Sequence, residues 1–126
     1  MKFKTLMVIK AVVCLAFGPL LLFFPGPLLT LLGSSFGPGA AITAREYGAS
    51  LMGNLMLAWF ARNGEASVLR RAIVLNLFVY DAIAFIAMLL IQLSGGMNPL
   101  GWGIVAVYLF FSLGFGYFLL PQKKVV

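Results

Sequence analysis

Val68–Leu93, VLRRAIVLNLFVYDAIAFIAMLLIQL, decides the fold class. After Arg70 and Arg71, the 22 residues from Ala72 to Leu93 carry one charge, Asp81, and no glycine or proline. A spanning helix needs about 20 mostly apolar residues. Ser67 precedes the stretch as a helix N-cap, and Gly95-Gly96 follows as a stop signal. The segment is therefore read as a membrane-spanning helix over about 68–93 with one acid inside it.

Three further runs fit the same reading. Thr5 to Phe24 forms the first span, with Pro19 as a possible kink. A secretory signal is disfavoured because Lys10 interrupts the run and no small-residue cleavage site precedes Pro19. Pro25-Gly26-Pro27 stops this helix, and Leu28–Leu32 is too short to span, so it is assigned to the interface before the Gly33–Gly39 loop. Thr43-Ala44-Arg45-Glu46 matches a capping box, placing the next helix at about 44–62. Asn98 and Pro99 open the last, about 99–120, where proline's missing amide is harmless. The fold class expected is all-α: one domain over 1–126, an integral membrane four-helix bundle.

Composition agrees. Of 126 residues, 63% are hydrophobic and 10% charged, against about a quarter charged in soluble domains. The net charge of +6 does not indicate a nucleic-acid partner, because the basic residues edge apolar runs and do not share one solvated face. Lys2, Lys4, Lys10, Arg62, Arg70, Arg71, Lys123 and Lys124 fall on one side, against Arg45 on the other, beside Glu46. The positive-inside rule then puts both termini in the cytoplasm, and so strong a bias argues against a dual-topology transporter. Trp59 and Tyr117 are expected at the inner interface, Tyr47 and Trp102 at the outer. Zero histidines and the single Cys14 leave little basis for a metal, haem or disulfide, so no cofactor is expected.

Asp81 is the residue with the most chemistry. Ten residues past Arg71, it lies about 15 Å inside, near the bilayer midplane, where a charge needs partners. Asn54 and Ser112 fall at similar depth. Helical spacing aligns Tyr47, Ser50, Asn54 and Ala58 on one helix, Gly101, Tyr108, Ser112 and Gly116 on another, and Lys10, Cys14 and Gly18 on the first. The candidate intramembrane polar site is Asp81 with Asn54, Ser112 and Tyr108 as hydrogen-bonding walls, Asp81 being either protonated or paired with Lys10, whose long stem can equally snorkel back to the cytoplasmic interface. The same residues would equally pin helices in register. Asn76 and Tyr80 share another face. Ala49-x-x-x-Gly53 and Ser112-x-x-x-Gly116 have the small-xxx-small spacing of close helix contacts. No nucleophile–base–acid set occurs, so no enzymatic activity is expected.

Ala44-Arg45-Glu46-Tyr47-Gly48-Ala49-Ser50-Leu51-Met52-Gly53, Asn98-Pro99-Leu100-Gly101-Trp102 and Leu113-Gly114-Phe115-Gly116-Tyr117-Phe118 resemble small uncharacterised bacterial four-helix membrane proteins, loosely DoxX-like. The resemblance implies a multi-pass protein of the bacterial inner membrane, without an assigned activity. Two functions stay open. One is an accessory or structural subunit associating with other membrane subunits or with its own copies in the lipid bilayer. The other is a small transporter or channel for protons, ions or a small ligand that uses Asp81.

Overall fold

The computed structural model describes residues 2–120. These form five helices in chain order: α1 Phe3–Phe23, α2 Pro25–Leu31, α3 Pro38–Ala61, α4 Val68–Leu93 and α5 Gly101–Leu119. No strand occurs among the described residues. Helices α1, α4 and α5 are each long and apolar enough to cross a membrane. At 24 residues α3 has the length, but Arg45, Glu46, Ser50 and Asn54 dilute its hydropathy.

The helix ends follow local chemistry, and several differ from the sequence expectation. The hydroxyl of Ser67 accepts a hydrogen bond from the Arg70 N–H at 3.1 Å and caps α4. Gly95 closes α4 with φ +82°, a left-handed conformation that glycine adopts without a Cβ clash. Helix α3 begins at Pro38, six residues before Ala44, because proline at the first helical turn sacrifices no internal amide bond. The Thr43–Glu46 capping box therefore does not form: Thr43 lies inside α3 and its hydroxyl donates back to the Gly39 carbonyl at 3.1 Å. Helix α1 starts at Phe3 and runs through Pro19. Residues 28–31 of the segment expected as interfacial belong to a short helix of their own, α2, which begins at Pro25 and stands in addition to the four long helices. At seven residues α2 is about 10 Å long and too short to cross a bilayer.

The four long helices pack as a ring, α1 beside α3, α3 beside α4, α4 beside α5 and α5 beside α1. The closest pairs are α1 with α3 and α4 with α5. Gly48 makes the first pair possible: a Cβ there would sit 2.9 Å from the Gly18 carbonyl and 3.0 Å from the Leu22 backbone. On α5, Gly114 and Gly116 make room for side chains, those of Leu6 and Phe78. Small residues that let backbones approach are how helices associate when lipid offers no hydrophobic drive.

Two apolar clusters fill the interior. One joins Leu6, Met7, Ala58, Leu77, Phe111 and Phe115 from all four long helices. The other joins Cys14, Leu21, Ala44 and Leu51 of α1 and α3. Gly48 in the first half of α3 packs on Gly18 and Leu22 near the end of α1, so these neighbours run antiparallel. Consequently Lys2, Lys4, Arg62, Arg70 and Arg71 gather at one end, and Arg45 and Glu46 lie toward the other. Lys123 and Lys124 lie outside the described residues. At the end away from the basic cluster, the Asn98 side chain donates to the Leu31 carbonyl at 2.8 Å, and Ser34 donates to the Gly96 carbonyl at 2.7 Å. These bonds tie the end of α2 to the α4–α5 loop.

Candidate functional site: a buried ion pair at the centre of the helices

Lys10 of α1 donates to Asp81 of α4, Nζ to Oδ1, at 2.8 Å. Their residual exposures are 2% and 0%, so bulk solvent reaches neither. The two helices face each other across the ring and no Cα of α1 comes within 8 Å of one in α4. The long lysine stem therefore bridges the diagonal. Its placement follows from the sequence: Lys10, Cys14 and Gly18, four residues apart, all face inward and are buried.

Aromatic rings enclose the ammonium. It lies 5.1 Å from the Tyr80 ring centroid and 4.7 Å from that of Phe111, within the roughly 6 Å range of cation–π attraction. Tyr80 stacks on Tyr47 of α3, centroids 6.3 Å apart and planes 11° off parallel. The edge contact of Tyr80 with Tyr108 of α5 spans 6.5 Å. All four long helices thus contribute to one layer, in which Asp81 Oδ2 and the Tyr80 hydroxyl are buried without a hydrogen-bond partner.

The sequence-derived site residues separate into two groups. Lys10 and Asp81 meet directly, and Tyr108 joins through Tyr80. Ser112 is buried, but its hydroxyl donates to the Tyr108 carbonyl of its own helix at 2.7 Å. It is no wall for Asp81. Asn54 is half-buried and makes no hydrogen bond among the described residues, so the expected contact with Asp81 is absent. Asn76 and Ser50 are exposed, and so is Ala49-x-x-x-Gly53, where a Cβ on Gly53 would touch nothing within 4 Å. That pair packs no helix within the chain. Tyr47, expected at the outer interface, instead turns inward onto Tyr80.

Sequence reasoning missed the ring enclosure. Phe111 follows Tyr108 by three residues and precedes Phe115 by four, an inward stripe that the focus on polar residues passed over. Tyr47 shares the helical stripe of Asn54 and Ala58, the signal that its ring turns inward onto Tyr80.

Chemically, the pair can hold a proton or neutralise two charges within the helices. One carboxylate and an ammonium do not form a metal site, and among the described residues no cluster of three His, Cys, Asp or Glu occurs. Compared with known proteins, the chain matches no known family, no curated protein and no solved structure.

Proposed function

We propose that the chain is a non-enzymatic, multi-pass integral membrane protein that acts by associating with other membrane subunits or with copies of itself. Its four long helices form a spanning bundle. The observation that carries this reading is the enclosure of Lys10 and Asp81, whose charges are directed at each other and not at a cleft. The outward surface is apolar side chains such as Phe60, Ile83, Leu90 and Leu113, which offer contact area and no chemistry. Helix α3 crosses with its neighbours, since Ala44–Ala61 alone measures about 27 Å against a hydrocarbon core of about 30 Å. The basic end faces the cytoplasm by the positive-inside rule. The DoxX-like resemblance supports a bacterial inner membrane as the protein's location.

Native mass spectrometry of gently solubilised protein tests the proposal. A reproducible heteromer or homo-oligomer is expected, and a strict monomer with measurable turnover on a substrate would sink it. A second reading, a proton or ion carrier, is favoured by the buried orphan atoms Asp81 Oδ2 and Tyr80 Oη. Proton flux in vesicles that disappears in Asp81→Asn would replace the first reading with the second.

A further inference from the structure

Helices α3 and α4 touch only sparingly, and at the basic end they part to leave an open-sided groove of about 830 Å³. Its walls are apolar: Met56, Leu57 and Phe60 of α3 face Leu69 and Ile73 of α4, and Gly53 adds an exposed stretch of lining without a side chain. The volume lies within the roughly 300–1,000 Å³ of small-molecule clefts.

Arg70 stands at the mouth. Its guanidinium lies over the Phe3 ring, 3.8 Å from the centroid, and one N–H reaches the Gly64 carbonyl at 3.3 Å. These contacts fix a planar group with five donors and leave most of them undirected. Glu65 lines the same rim, yet Arg70 forms no ion pair among the described residues. Arg71 and Arg62 stand nearby at the same end, and Arg62 is stacked 3.7 Å from the Trp59 centroid. An apolar slot ending in an ordered, unpaired guanidinium matches an amphiphile with an anionic head.

We infer that the α3–α4 groove binds an anionic diacyl phospholipid of the leaflet at the basic end, an acyl chain lying between Met56, Phe60 and Ile73 and the phosphate on Arg70. The inference rests on the membrane-spanning reading above. A second copy of the chain is the poorer occupant, since a symmetric contact would bring each copy's arginines against its partner's. A phosphate offers the bidentate acceptor that the guanidinium fork fits.

Trp59 flanks the groove on α3, one residue before Phe60, without itself lining it, and Trp102→Phe makes it the sole tryptophan. The full chain carrying Trp102→Phe is reconstituted in brominated phosphatidylcholine, whose bromines quench Trp59, and unbrominated phosphatidylglycerol is titrated in. Relief of quenching is expected with an apparent preference of about fivefold over unbrominated phosphatidylcholine, the order that one interfacial cation supplies. Arg70→Gln and Gly53→Leu, the second filling the slot, should each bring the ratio to about one, and Arg45→Gln at the opposite end should leave it unchanged. Equal exchange of the two lipids in the unsubstituted groove overturns the inference. A preference that survives Gly53→Leu overturns it in favour of headgroup binding outside the groove. Relief by inorganic phosphate in phosphatidylcholine alone assigns the site to a free anion, and Trp59 quenching that follows protein density assigns it to a second copy. If no brominated lipid quenches Trp59, the membrane-spanning reading falls together with the site, whereas quenching without preference removes the site alone.

Discussion

Separating Lys10 from Asp81 should cost far more than removing both. At 2.8 Å and an effective dielectric of about 20, the gross attraction is about 6 kcal/mol, most of it offset by desolvation of the two ions. The net value of the intact pair is therefore small. A single substitution is different, because it leaves one charge buried and uncompensated at a cost of about 3–5 kcal/mol. Lys10→Met strands Asp81, which is 0% exposed and whose Oδ2 already lacks a partner. Asp81→Leu strands Lys10, which retains the faces of Tyr80 and Phe111 and can withdraw its flexible stem toward the basic end. Lys10→Met should thus be the more damaging of the two. The double variant should return to within about 1 kcal/mol of the starting protein, or exceed it, as when buried ion pairs elsewhere are replaced by apolar residues of similar size. Equilibrium unfolding in mixed micelles reads all four corners of the cycle. Losses that add to within about 0.5 kcal/mol in the double variant would refute the pairing and its energetics.

The close approach of α1 and α3 predicts that Gly48→Ala destabilises by about 1–3 kcal/mol, as overpacking does, whereas Gly53→Ala, on an open surface, is neutral or stabilising; thermal melts in detergent compare them. Asn98 caps Leu100 N–H at 3.0 Å and holds Leu31, so Asn98→Ala should cost about 1–2 kcal/mol and speed amide exchange at Leu100 first. In a Cys14→Ser background, Ser67→Cys should react with maleimide only from the cytoplasmic face and Ser35→Cys only from the other. The opposite pattern would overturn the orientation, and labelling of both from one face would overturn an odd number of crossings by α3.

Much of this structure was legible in the sequence because lipid imposes simple rules. Helix α4 occupies the apolar run between Ser67 and the Gly95 turn, since caps and breakers act locally, whereas α5 opens at Gly101 and not at Pro99, because the Asn98 side chain caps the Leu100 N–H in a turn ahead of the helix. The start of α3 was not legible, because Pro38 and the Thr43–Glu46 box are both valid N-terminal signals, and Pro38, the earlier one, opens the helix. The Lys10–Asp81 pair could be anticipated from cost alone: two charges inside apolar runs have few alternatives to each other. Asn54 and Ser112 could not be assigned by depth, because depth fixes height and not rotation. A serine can also satisfy its hydroxyl on its own helix, as Ser112 does.

The position of the pair gives it a role that the apolar clusters cannot fill. The tight contacts lie within α1–α3 and within α4–α5, and apolar faces between these halves gain little from meeting each other when lipid is equally apolar. Lys10 and Asp81 belong to opposite halves, and the Tyr47–Tyr80 stack spans the same divide. A slip of either half by one turn, about 5.4 Å, would part the charges and leave each buried alone, as well as lifting Leu6 away from Gly114. The ion pair thus adds to the packing a strong penalty against other registers, which is how a buried polar contact of modest net stability can help to determine a fold. The α3–α4 seam is one of two thin contacts between the halves, and at the basic end it opens into the groove beside Arg70.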